Sequence, residues 1–250
     1  MSRVDEYRVR LRGLELWEPY LLQESGLPGP RANLELAQAV ADEGDRRLYE
    51  AYIANTTDRA PTNTPGEFLA FCAVVGFGRL LAEGDMSVSA ILRQHASDPR
   101  WRLREGVALA LQRLGDVDMD RLVAIAQSWA KGTRLEQRAA AAALSEPRLL
   151  VQARHAAAAL EVLDTITASV ESATDRRSPA FKTLRQGLGY CWSVVVAALP
   201  EPGKRRLEKW ATSPNQDVRW IISANLKKAR LSRMDAEWVR TLSQSATRAG

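Results

Sequence analysis

The sequence predicts an all-α fold of stacked helical hairpins, an α-solenoid, on three observations. Apolar residues recur at helical spacing. In 213–231 they fall at Val218, Ile221, Ile222, Leu226 and Ala229, that is i, i+3, i+4, i+8 and i+11, one face of a helix. Ala, Leu and Arg dominate, and no run alternates Val, Ile and Thr as a half-buried strand would. The form of 213–231 also has a counterpart in 97–111. In both, a small polar residue and Pro open the helix, an aliphatic-Arg pair follows, and a Leu lies eight residues after that aliphatic.

Taken in order, Tyr7 to Leu22 carries scattered apolar residues and reads as a short helix or irregular cap. Ser25-Gly-Leu-Pro-Gly-Pro-Arg31 is a turn-rich loop; it lacks the Lys-Ser/Thr of a phosphate loop, and its prolines remove backbone donors. Asn33 caps a helix through Ala41, and a second helix spans 46–54. Thr64-Pro-Gly-Glu67 has the form of a capping box before a helix reaching about Gly76, with Leu80 and Leu81 extending its apolar character. Ser87 caps a short helix to His95, and a striped helix runs from Pro99 to Leu114 until Gly115 ends it. Further helices are predicted from Met119 to before Gly132, over 135–144, and over 148–173 as one long piece. Ser178 caps the next helix, which Pro200-Glu-Pro-Gly203 breaks. Residues 204–210, 213–231 and 234–242 complete the chain.

A mark recurs early in the second helix of each pair: Leu103-Arg104, Gln137-Arg138, Leu184-Arg185 and Val218-Arg219, spaced by 34, 47 and 34 residues. Periods of this size signify stacked hairpins. Asp98-Pro-Arg-Trp-Arg-Leu-Arg104 and Asn215-Gln-Asp217-Val-Arg219 resemble the second-helix signature of HEAT repeats, in which an acidic residue precedes Val-Arg. The resemblance covers about 65–231 and implies a curved solenoid whose second helices line its concave face. It also implies that Arg104, Arg138, Arg185, Asp217 and Arg219 tie neighbouring repeats together. The expected organisation is one continuous domain: a helical cap over 1–64, repeats over 65–231, and a capping helix with tail over 232–250.

Composition narrows the function classes. At 46% hydrophobic the chain can bury a large core. The sequence reading finds no apolar run of about 18–20 residues such as a membrane span needs. No signal-like segment opens the chain, and Cys72 and Cys191 fall on core faces, so a cytoplasmic location is expected. The net charge of +5 is uneven, with 11 basic against 5 acidic residues in 201–250. Such asymmetry suits nucleic acid or an acidic partner.

Only His95 and His155 are present, no Cys or His pair has metal-ligand spacing, and no familiar catalytic or dinucleotide motif occurs. No metal and no cofactor are expected. Seven Trp interleave with Arg and Lys. Trp220 lies off the core stripe, with Lys227, Lys228 and Arg230 beyond it, and Trp101 and Arg102 hold a similar off-stripe position. Aromatic plates beside cations can stack bases and hold phosphates. DNA glycosylases for alkylated purines include a HEAT-like class, one branch of which carries Trp-Asp-Leu-Val-Asp with a catalytic last Asp. The nearest string here is Trp192-Ser-Val-Val-Val196, in which Trp192 matches and Val196 replaces the Asp. Glu105, Glu146 and Asp217 are the carboxylates left to substitute. The expected function is a non-enzymatic scaffold presenting a concave helical surface to a protein partner. The alternative is nucleic-acid binding by the basic C-terminal surface, with or without lesion chemistry.

Overall fold

The computed structural model describes residues 1–248. It contains fifteen α-helices and two short 3-10 turns, with no strand among the described residues. The chain gathers into two compact units, Met1–Asp118 and the remainder from Met119.

The first unit comprises α1 (Arg3–Arg12), α2 (Glu18–Glu24), α3 (Leu34–Glu43), α4 (Arg46–Ile53), α5 (Pro65–Ala82), α6 (Ser89–His95) and α7 (Trp101–Val117). Helices α1, α3, α5 and α7 pack in succession, α2 and α4 lie on α5, and α6 lies on α7. Asn33 caps α3 as expected, its side chain accepting from the Leu36 amide. Asp85 rather than Ser87 caps the turn before α6, accepting from the Ser87 amide.

Helix α5 is the core of this unit. It continues past Gly76 because its glycines lie where neighbours touch it. A Cβ on Gly76 would come 2.4 Å from the Tyr49 ring, and one on Gly78 would come 2.4 Å from Ala110 Cα. Glycine costs a helix about 0.5–1 kcal/mol relative to Ala, a cost offset by this close approach. Within the unit the Tyr49 ring meets Phe77 edge-on at 5.8 Å, and its hydroxyl donates to the Ala41 carbonyl at 2.9 Å. Contrary to the sequence expectation, α5 is long and apolar enough to cross a membrane, with 18 residues of mean hydropathy 1.4, of which 72% are buried inside the fold. The sequence reading ends this helix at about Gly76, with Leu80 and Leu81 only extending its apolar character.

The capping box expected at Thr64 does not form. Thr64 precedes α5, but its hydroxyl turns back to the Pro61 carbonyl, and Glu67 accepts from the Asn63 amide at 2.7 Å instead. Glu67 is fully buried, and what draws it inward is Arg102, whose guanidinium donates to it at 3.0 Å.

The second unit comprises α8 (Met119–Trp129), α9 (Arg134–Leu144), α10 (Ala153–Glu171), α11 (Pro179–Ala198), α12 (Pro200–Ala211), α13 (Gln216–Leu226), α14 (Ala229–Met234) and α15 (Ala236–Arg248). Helices α9, α11 and α13 pack in succession, backed by α8, α10 and α12 in turn, and α15 closes on α12, α13 and α14. A true capping box, Thr133 with Glu136, starts α9. Ser178 caps α11 as expected.

Four boundaries differ from the sequence reading. Residues 148–173 are not one helix: a 3-10 turn over Pro147–Leu150 precedes α10. The break expected at Pro200 is present, α11 ending at Ala198, but residues 200–203 are the first turn of α12 and not a loop, since the missing N–H of proline is tolerated there. Asn215, not Ser213, caps α13. Residues 213–231 are two helices, so Ala229 is exposed and Leu231 takes the buried place.

Leu163, Leu184, Leu188, Val195, Ile221 and Ile222 are fully buried in this unit. Each such side chain stabilises by about 1.5–3 kcal/mol relative to exposure. Asn225 is a polar member of this core, fully buried like Thr167 and Ser193. It accepts from the Ser193 amide at 2.8 Å and donates to the carbonyls of Leu188 (2.8 Å) and Ile221 (2.7 Å). It thereby joins α11 to α13.

Candidate functional site

The exposed aromatics of the second unit, Tyr190 and Trp220, lie on α11 and α13, with basic residues beside them. Trp220, 38% exposed, stands on α13. The Arg185 guanidinium covers its ring at 4.0 Å from the centroid. Its inner edge rests on Gly189 of α11, where a Cβ would come 2.9 Å from the ring. Arg185 is itself held by Asp217, with Nε 2.8 Å from Oδ1, and Arg176 approaches the other oxygen at 2.7 Å. Arg176 also donates to the side chain of the capping residue Asn215 at 2.8 Å. Trp220 is therefore fixed on one face by a cation that is itself fixed, and on one edge by a glycine.

Tyr190 follows Gly189 and is 45% exposed. Arg230 donates to its hydroxyl and lies 4.8 Å from the ring centroid, and the Lys228 ammonium lies 5.7 Å from it. The structure thus gathers Lys228 and Arg230 around an aromatic ring, but that ring is Tyr190, which the sequence reading missed. The signal was Gly187-Leu-Gly189-Tyr190: glycines inside a helix mark close approach by a neighbour. Lys227 is exposed at the end of α13. Lys227 keeps a helical φ of −77° and ψ of −5°, so it lies two turns on from Trp220, and the chain leaves the helical path only at Lys228.

The repeat arginines occupy unlike positions. Arg185 bridges α11 to Asp217 on α13. Arg138 lies against α11, its Cγ 3.3 Å from where a Cβ on Gly187 would sit. Arg104 instead donates to the carbonyls of Asp98 (2.6 Å) and Pro99 (3.0 Å), at the entrance to its own helix. Arg219 is half-buried.

Trp101 and Arg102 behave differently from expectation. Trp101 is 43% exposed, but Arg102 is buried at 3% exposure and so offers no open cationic surface. Besides Glu67 it donates to the Gly29 carbonyl (2.6 Å) and to Asn63 Oδ1 (3.2 Å), with Trp101 over its guanidinium at 4.3 Å. Asn63 adopts a positive φ of 66°, a conformation that Asn tolerates, and its Oδ1 also accepts from the Gly29 amide at 3.0 Å. The Ser25–Arg31 loop is thus a structural partner of Arg102. A pocket of about 210 Å³ opens here, lined among others by Leu34, Phe71, Trp101 and Glu105.

Trp192 and Val196 are both fully buried, and the Trp192 indole donates to Thr167 at 3.0 Å. That string is core. Of the substitute carboxylates, Asp217 is clamped by two arginines, Glu146 pairs with Arg148 at 3.2 Å, and Glu105 borders the pocket. His155 is buried and bonds Asp120 at 3.0 Å, and burial pushes the His95 imidazole to a lower pKa. Burial raises the Cys72 thiol well above its ordinary range. Among the described residues no cluster of three His, Cys, Asp or Glu is placed to hold a metal.

The chain is an all-helical protein with an aromatic and cationic patch across α11, α13 and α14. Compared with known protein families, curated proteins and solved structures, it matches none.

Proposed function

We propose that the chain is a HEAT-like binding module and that the α11–α13 face docks a protein partner through an acidic surface. Within each unit the helical hairpins stack as a short α-solenoid. Support comes from the HEAT-like strings at Asp98–Arg104 and Asn215–Arg219, and from the successive packing of α9, α11 and α13 on α8, α10 and α12. The observation that carries the function is Trp220, exposed yet immobilised between Arg185 and Gly189. Trp, Tyr and Arg dominate the energetics of protein interfaces, and an anchor already ordered loses little entropy on binding.

A second reading, nucleic-acid binding, is favoured by Lys228 and Arg230 around Tyr190, with Lys227 beside them. Phosphate contacts of this kind give affinities that fall steeply with salt. Asp217 beneath Arg185 weighs for the protein partner, because it offsets one of the cations on this face.

A photo-crosslinking residue at exposed Ser223, one turn from Trp220, separates the readings. The expected result is a protein adduct that survives high salt, disappears in Trp220→Ala and weakens in Gly189→Ala. A salt-sensitive nucleic-acid adduct, lost when Lys227, Lys228 and Arg230 become Glu, would establish the second reading instead. An adduct indifferent to all these changes would refute both.

A further inference from the structure

The first unit carries a separate cleft of about 360 Å³ between the α1–α2 connection and the α3–α4 turn. One wall holds Glu15, Leu16, Trp17 and Glu18; the other holds the α3–α4 turn with Leu48 and Tyr52 of α4. Its frame is rigid. The Trp17 indole donates to the Leu11 carbonyl at 2.8 Å, and Arg79 donates to the Gly44 carbonyl at 2.6 Å. Two of its carboxylates have structural tasks: Glu43 is held by Arg8 and Arg12, each at 2.7 Å, and Asp45 caps α4.

Three polar groups are left over. Glu15 and Glu18 are exposed at the cleft, with no ion pair among the described residues. Tyr52 is only 6% exposed and lines the cleft, yet its hydroxyl makes no hydrogen bond among the described residues. That hydroxyl is reached by solvent, so a ligand in the cleft can meet it. Leu16, 66% exposed, adds an apolar rim. Carboxylates at the mouth, an indole and leucines along the walls and an unpaired hydroxyl together suit a cation on an apolar stem.

We propose that this cleft captures the arginine side chain of a basic peptide partner. The guanidinium pairs with Glu18 and donates to the Tyr52 hydroxyl, while the methylene stem lies along Trp17 and Leu48. The Trp17 face adds a cation–π contact. This site is independent of the α11–α13 face, so either proposal can fail alone.

The test is an NMR titration of the full chain with a capped glycine-alanine peptide bearing one central arginine. Its citrulline counterpart, of the same shape without charge, is the control. Saturable shifts are expected at the Trp17 indole, with the citrulline peptide about tenfold weaker or worse. Glu18→Gln is expected to weaken arginine binding about tenfold, and Tyr52→Phe about threefold with an unchanged circular dichroism spectrum. No saturable shift at Trp17, equal affinity for citrulline, or full affinity in Glu18→Gln would overturn the proposal.

Discussion

Arg102→Met tests the central polar contact of the first unit. Arg102 and Glu67 have side chains 4% and 0% exposed and meet at 3.0 Å. Removing the guanidinium leaves the Glu67 carboxylate buried with only the Asn63 amide at 2.7 Å, and deprives the Gly29 carbonyl of its donor. Breaking one side of a buried pair costs about 3–5 kcal/mol, whereas replacing both partners by apolar residues of similar size is often neutral. Against a total stability of about 5–15 kcal/mol, the single change is severe. Glu67→Met alone strands the cation and belongs in the same range. The double variant is expected to be less destabilised than the sum of the singles by about 2–3 kcal/mol. Urea unfolding of the full chain, followed by helical circular dichroism, measures all four corners of the cycle. A loss below about 1 kcal/mol for Arg102→Met, or single effects that add within about 0.5 kcal/mol, would refute this account of the pair.

Three further outcomes are expected. Arg12 first, and Arg8 with it, draw the Glu43 carboxylate from its usual 4.5 down to about 2. Its folded pKa is depressed, so its stabilisation is present above about 4.5 and vanishes as pH falls toward 2. Both arginines are partly exposed, so Glu43→Gln is expected to cost about 1 kcal/mol at neutral pH, with the gap closing in acid denaturation profiles. Asn225→Ala strips the buried Ser193 amide of its acceptor at 2.8 Å and is expected to cost about 2–4 kcal/mol by urea unfolding. Gly78→Ala forces a methyl to within 2.4 Å of the Ala110 backbone and is expected to lower stability by about 1–3 kcal/mol, whereas at Gly76 the obstacle is the Tyr49 ring.

Local signals were the legible ones. Asn33 and Ser178 as caps, and the stripes of Val218 to Leu226, depend on residues within a few positions of one another. Glu67 misled because a nearby partner, Thr64, satisfied the capping pattern, while the partner that won lies 35 residues away. Arg102 misled for the same reason: off-stripe spacing describes one helix in isolation, and the loop carrying Gly29 covers it. Pro200 was legible as the stop of α11, but not as the start of α12, because the same proline serves both and only the fold shows that its missing N–H falls in a first turn. Of the α11–α13 face, Trp220, Lys228 and Arg230 were legible as residue types. Tyr190 was not, because its importance depends on which helix packs against it.

Two of the three glycines of α5, Gly76 and Gly78, have a mechanical consequence. One receives the Tyr49 ring of α4 and the other the Ala110 backbone of α7. Helical pairs commonly adjust by sliding along their ridges, a shear of small steps. For α5 such a slide would bring larger side chains from one turn away, Leu80 toward Tyr49 and Val75 or Leu81 toward Ala110. The helix is therefore notched against two neighbours at once, and axial travel is blocked. Under load at its rim the first unit is expected to tilt whole helices or open its loops before α5 slips along its axis.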